Sequence, residues 1–552
     1  MPDTNPPAKP AALDAYHVGD IEGALGTIYE GDIRPRRTWG KRWATLLAII
    51  GPGLIVMIGD NDAGAFGTYT QAGQNYGTAL LWTLLLLVPV LYVNQEMVLR
   101  LGAVTGVGHA RLILERFGKF WGAFSVIDLF ILNGLTIVTE FIGINLALGY
   151  LGVPRIWGIM AATGMIIAAA STGSFRRFER FALAVCALSL LLVPVFLMVH
   201  PPLREVARDF VIPRFPAEAK LSDVMLLVIA IVGTTVAPWQ LFFQQSYVID
   251  KRITPRFMAY GKVDLSLGIL AVVVGGVAMM AFAAAAFAGT AGLGQFTDAG
   301  AVAVGLEASA GRAAGVMFAL ALLAASIVGA SAVSLSTAYA IGDVLALRHS
   351  LHRGANDARG FYAVYAGLIA VAATLVLFGS DALLGLLTNA VQTLAGVLLP
   401  SATVFLLLLC NDKAVLGPWV NGRWLNLFTG TVIWVLVMLS IILTAATVFP
   451  DLSGKNIVVI LGGGTLLGLL GYGAILVVRR QGRADCASVT DVPLPPDRLR
   501  ATRATWRMPP LPELAPPQLS LAKRVWMGVL RAYLVAAVVL VAVKVTQVAF
   551  GQ

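Results

Sequence analysis

Asp60 and Asp62, separated only by Asn61, interrupt a long apolar run, so that Gly59-Asp60-Asn61-Asp62-Ala63-Gly64 places two carboxylates and an amide in its middle. One aspartate at mid-bilayer costs about 2.5 to 3.5 kcal/mol on insertion scales, and two cost roughly twice that before compensation. No Lys or Arg stands in the segment, which makes a bound cation the simplest compensator. A second interruption, Gly233-Thr234-Thr235-Val236-Ala237-Pro238-Trp239-Gln240, falls in the middle of a later run. Pro238 removes a backbone donor there, and unwound peptides free carbonyl oxygens. The carboxylates of Asp60 and Asp62, the amides of Asn61 and Gln240, and the carbonyls near Gly59 and from Thr234 to Ala237 form an all-oxygen set, which suits a hard divalent ion such as Mg2+ or Mn2+. Protonated or helix-capping acids are the alternative, but capping accounts for one acid better than two.

The elements that must position these groups are membrane helices. Of the 552 residues 58% are hydrophobic and 13% charged, about half the charge of a soluble domain. The apolar runs are continuous and long enough to cross the bilayer as helices, not as alternating barrel strands. Thirteen candidate spans follow: Trp43 to Tyr76, Leu80 to Leu99, Phe120 to Tyr150, Ile156 to Ala170, Phe181 to Val199, Val224 to Val248, Val263 to Phe287, Ala313 to Leu347, Phe361 to Phe378, Leu383 to Leu409, Leu425 to Phe449, Ile457 to Val478 and Val525 to Phe550. Residues 1–42 form a polar amino-terminal segment, 43–409 a transport core, 410–478 two accessory spans, 479–524 a basic Pro-rich linker and 525–552 a terminal span.

Loops after even-numbered spans carry the basic residues, among them Arg100, Arg116, Arg176, Arg180, Lys251, Arg256, Arg348, Arg353 and Lys413. The positive-inside rule then places the amino terminus in the cytoplasm of a cell-membrane protein. The net charge of +10 is accounted for by that orientation and does not call for nucleic acid. The first 42 residues contain no cleavable signal peptide, and Cys186, Cys410 and Cys486 offer neither a disulfide framework nor metal spacing. With no P-loop, nucleophile motif or metal-hydrolase spacing, an enzyme is not expected. If spans one to five and six to ten are repeats, the two interruptions occupy equivalent places, and an odd number of spans per repeat inverts the second copy.

Gly51-Pro52-Gly53 precedes the first interruption, Arg100-Leu101-Gly102-Ala103-Val104-Thr105-Gly106 follows span two, and Asn421-Gly422-Arg423-Trp424-Leu425-Asn426 opens span eleven. In these stretches the chain resembles the Nramp (natural resistance-associated macrophage protein) family of divalent-metal transporters, and most closely its Nramp-related magnesium-transporter branch. The resemblance implies an all-α polytopic membrane protein with a leucine-transporter-like fold: two inverted five-helix repeats, broken helices one and six, and additional carboxy-terminal helices. The family's Asp-Pro-Gly-Asn falls on Asp62-Ala63-Gly64-Ala65, its Met-Pro-His on Ala237-Pro238-Trp239, and its span-three Asp-x-x-Glu on Ile137 and Glu140.

These departures shape the expected chemistry. Without a methionine at 237 the site loses a soft ligand and should accept Mg2+, with Mn2+ alongside it. Trp239 and Ile137 stand where the family handles protons and cannot carry one, which implies uncoupled transport; Glu140 and Asp128, with Asn133 between them, keep a proton route open. Gln244, Asn389 and Gln392 lie where they could reach the ion or its waters, and Trp239 could close the site. The metal is cargo, not a cofactor, and the partners are divalent ions and the lipid bilayer, with one chain as the transport unit. The rivals are a proton-coupled Mn2+/Fe2+ carrier and an amino-acid or amine symporter, whose substrate carboxylate the paired acids would repel.

Overall fold

A bilayer offers no partners to backbone N–H and C=O groups, so a chain this apolar must satisfy them within helices. The computed structural model describes residues 17–448 except 33, 217 and 218, together with 456, 459–471, 473, 503, 506–514, 527 and 528. Among the described residues eight helices are long and apolar enough to cross a membrane, or up to ten if each of two bent pairs is one span. The eight are Trp82–Thr105, Lys119–Tyr150, Phe175–Val199, Asp223–Asp250, Pro255–Phe287, Arg312–Leu345, Arg359–Phe378 and Arg423–Ile442, which are spans two, three, five to nine and eleven of the sequence reading. Span four is the shorter helix Arg155–Ala170, and span ten lies in Asp381–Cys410.

Span one is divided twice. Trp39–Ile49 bends by 52° into Pro52–Asp60, and Ala63–Tyr76 follows after the acidic break. The bend turns on Gly51, whose φ of 150° favours glycine and whose place against the Glu179 carboxylate leaves no room for a Cβ. Four of the first five spans pack on the span five places later: three on eight, two on seven, four on nine, and each half of span one on a half of span six. Two repeats related by an axis in the membrane plane produce this pairing, and it brings both interruptions to one place.

Several elements were not foreseen. Ile21–Gly23 and Gly26–Ile28 form an antiparallel hairpin with Ile21 opposite Ile28, packed on Trp39–Ile49. Short helices His109–Phe117, Leu203–Val211 and Ala299–Ala310 fill loops between spans. Residues 506–514 of the expected linker dock on the molecule: Met508 N–H donates to the Val104 carbonyl and Arg507 to the Ala103 carbonyl. Part of span twelve is the helix Val459–Gly471. The terminal span 525–550, most of 479–524 and Cys486 lie outside the described residues.

Candidate metal site

In the first break, Asp60 ends one half-helix and Asp62 begins the next. Asp62 caps Ala63–Tyr76 by accepting from the Ala65 N–H at 2.9 Å, so capping occupies one of the two acids, while Asp60 has no such role. Asp60 is fully buried; it accepts a hydrogen bond from Gln240 Nε2, and its Oδ2 has no partner. Asn61 donates through Nδ2 to the Val272 carbonyl of span seven at 3.2 Å, against Gly275, which leaves its Oδ1 buried and unpartnered.

The second break is made by two extended residues, Val236 (ψ 80°) and Ala237 (ψ 144°), between Leu221–Thr235 and Pro238–Asp250. Pro238 at the first helical position costs no hydrogen bond. The Ala237 carbonyl accepts from the Gln240 N–H at 3.2 Å, and the Thr235 carbonyl from Gln240 Nε2 at 3.4 Å. Thr234 Oγ1 is buried without a partner. Gln240 therefore clamps the two breaks together; its own Oε1 accepts from Gln95 Nε2 at 2.9 Å, so in this state it orients Asp60 and would have to turn to present oxygen to an ion.

Glu140 reaches this place from span three. The Ala63 N–H donates to its Oε2 at 3.2 Å, and its Oε1 is buried without a partner. Gly329 of span eight makes room for its carboxyl. Ile137, one turn away, is fully buried. Trp239 is 1% exposed, with its ring 4.0 Å from where a Cβ on Gly59 would stand and near the Phe243 ring, so it covers the first break. Gln392 of span ten lies against Gly64, where a Cβ would meet its amide nitrogen. Gln244 is buried one turn beyond Gln240, with Oε1 unpartnered. Asn389 is helical, and its side chain lies outside the described part.

Asp60 Oδ2, Asn61 Oδ1, Glu140 Oε1 and Gln244 Oε1 are thus buried acceptors without donors, each costing about 1 to 3 kcal/mol, more where charged. Among the described residues no three His, Cys, Asp or Glu side chains converge on one point. The donor set is consequently carboxylate pairs supplemented by amides and backbone carbonyls. An ion held so sparsely would keep part of its water.

Tertiary structure adds groups that the sequence reading missed. Gln95 carried no signal in span two, and Tyr69, whose hydroxyl meets Thr235 Oγ1 at 2.6 Å, reads as core. Lys251, one of the basic residues of the loop after span six, is 1% exposed: its Nζ lies 2.7 Å from Glu179 Oε1 and donates to the Ile50 carbonyl. The other Glu179 oxygen accepts from the hairpin residue Ala24, and Asp264 accepts from the Gly51, Gly53 and Leu54 N–H groups. Spans one, five, six and seven and the hairpin are joined by this network on the basic face. Arg100, from the second stretch that carried the resemblance, donates to Asn421 Oδ1 in the third.

Known proteins resemble this chain in sequence and in fold. The sequence matches the family described as natural resistance-associated macrophage protein-like over residues 53–446. The divalent metal cation transporter MntH of Ralstonia nicotianae is 31% identical, across 71% of this chain and 89% of the relative; that of Latilactobacillus sakei is 27% identical, across 74% and 91%. A crystal structure of the Eremococcus coleocola manganese transporter superposes with a TM-score of 0.59 at 20% identity, covering 83% of this chain and 98% of that one.

Proposed function

The chain belongs to the Nramp family of multi-pass divalent-metal transporters, and from that premise we propose that it moves Mg2+, together with Mn2+, inward by alternating access without carrying protons. The observation that carries this reading is the donor set at the breaks: Asp60, Asp62, Asn61 and the carbonyls from Thr234 to Ala237 offer only oxygen, and Ala237 supplies neither sulfur nor bulk. A hard, strongly hydrated ion is favoured by such a set, and a thioether would favour softer ones.

Gln240 orients Asp60, and Trp239 covers Gly59. The hairpin and the Glu179–Lys251 pair close the basic face, which we assign to the cytoplasm; release of the ion inward requires span one to part from spans five and six there. All of the proposed site residues come from one chain, which supports a monomeric transport unit. Trp239 and Ile137 cannot take up a proton, and two charges crossing 100 mV gain about 4.6 kcal/mol, enough to drive inward movement.

Proton-coupled transport is the second reading, favoured by Glu140 beside the Asp62 cap with one oxygen unpartnered. Reconstituted vesicles loaded with a pH dye separate the two. Mg2+ uptake without acidification, abolished by Asp62→Ala, is expected; wild-type uptake by Asp62→Ala would overturn the site, and stoichiometric proton movement would overturn the uncoupled reading.

A further inference from the structure

A pocket at the foot of span one plays no part in holding the transported ion. It encloses about 470 Å³ and is lined by Thr27, Asp32, Arg34, Arg36, Lys41 and Thr45 among others. Arg36 is fixed within it, donating through Nε to Thr45 Oγ1 at 3.0 Å and through Nη1 to Asp32 Oδ1 at 3.0 Å. That hydrogen bond also holds the Asp32 carboxyl below its usual range. One carboxylate, already matched to Arg36, faces three cations, so the pocket keeps an excess of positive charge supplied by exposed Arg34 and Lys41.

The helix that forms one wall, Trp39–Ile49, gives the pocket its depth in the membrane. Trp39, Trp43 and Leu47 are spaced four residues apart on one face and are 71%, 46% and 38% exposed. The two indoles meet edge to face, 5.6 Å between centroids. Paired exposed tryptophans followed by leucine on the first helix of a membrane protein mark the headgroup level. Lys41 and Thr45 follow Trp39 and Trp43 by two residues and therefore point to the other side of the helix at the same level, and the exposed Gly40 and Ala44, the latter also lining the pocket, lie between the two faces. Its opposite wall is the hairpin and the turn after it, Thr27 to Asp32.

We propose that this pocket binds the headgroup of an anionic phospholipid, its phosphodiester on Arg34 and Lys41 beside the Arg36–Asp32 pair and its acyl chains crossing the helix at Gly40 and Ala44 toward Trp39, Trp43 and Leu47. The shared chemistry is phosphate recognition, and the apolar stripe commits the site to a lipid in preference to a free phosphate. Because the walls are the hairpin and the foot of span one, a bound headgroup ties together two elements that the Glu179–Lys251 network also joins.

The test uses the full-length protein, purified and returned to vesicles of phosphatidylcholine alone or with phosphatidylglycerol, with lipid retention read by native mass spectrometry and unfolding temperature by fluorescence. Phosphatidylglycerol is expected to remain bound and to raise the unfolding temperature. Each basic residue near an anionic surface is worth about a fivefold change in affinity, so the double substitution Arg34→Gln and Lys41→Gln should weaken retention about 25-fold, and Lys41→Arg should keep it. Equal retention of phosphatidylglycerol by the double variant would overturn the site. An equal rise in unfolding temperature with millimolar inorganic phosphate would overturn the lipid assignment. Should the double variant fail to fold, the wild type decides: retention unchanged between 0.1 and 0.5 M salt contradicts a phosphate held by these charges.

Discussion

Gln240 donates its side-chain amide to Asp60 across the seam between the two broken spans, and Gln95 holds the other end of that amide in place. A hydrogen bond to a charged group is worth about 1.5 to 3 kcal/mol, or roughly 10- to 100-fold in affinity. Gln240→Ala should weaken Mg2+ binding by about tenfold in calorimetry, less than Asp62→Asn. Gln95→Leu should act in the same direction with a smaller effect, because it touches Asp60 only through Gln240. Unchanged affinity in Gln240→Ala would remove Gln240 from the site.

Replacement of the alanine that links the two halves of span six tests the selectivity argument. Ala237→Met introduces a thioether where the backbone is extended and the side chain is buried. Competition uptake should move toward Mn2+ at the expense of Mg2+, because soft sulfur gains little from a hard ion and displaces its water.

Two glycines at the seam should respond differently to the same added methyl. At Gly233 a Cβ would stand 2.3 Å from the Gln392 carbonyl oxygen and 2.5 Å from the Gly396 nitrogen, both backbone, so spans six and ten would have to separate. At Gly64 the obstacle is the end of the Gln392 side chain, which can move. Gly233→Ala should lower thermal stability by about 1 to 3 kcal/mol, as overpacking does, and Gly64→Ala should fold normally while altering uptake.

His109 supplies a pH dependence outside the spans. Burial lowers its pKa to about 4, although its hydrogen bond to Gln245 Oε1 opposes the shift. The unfolded chain accepts a proton below about 6.5 that the folded chain refuses until about 4, so the stability contribution is present above pH 6.5 and declines as pH falls through that window. Up to about 3 kcal/mol is at stake. His109→Gln should flatten the fall in unfolding temperature between pH 6.5 and 4; an unchanged slope would assign it to other groups.

The membrane class, the span order and the two interruptions were legible in the sequence because each is a one-dimensional signal. An apolar run is long enough or it is not, and two acids within one are conspicuous because charge there is costly. The pairing of Asp60 with Asp62 was visible for that reason. That Asp62 caps a helix while Asp60 is left with an unpartnered oxygen depends on where the backbone turns, and that Gln95 and Glu140 reach the breaks depends on the packing of spans two and three.

Charge was the least transferable signal. Lys251 and Arg100 counted as loop markers, yet both are buried in bonds to residues far away in sequence. The amino-terminal hairpin and the docked 506–514 segment carried no apolar periodicity to announce them. Local composition determines whether a segment can leave water. Only tertiary structure decides which buried polar group meets which, because that choice rests on contacts between residues tens or hundreds of positions apart.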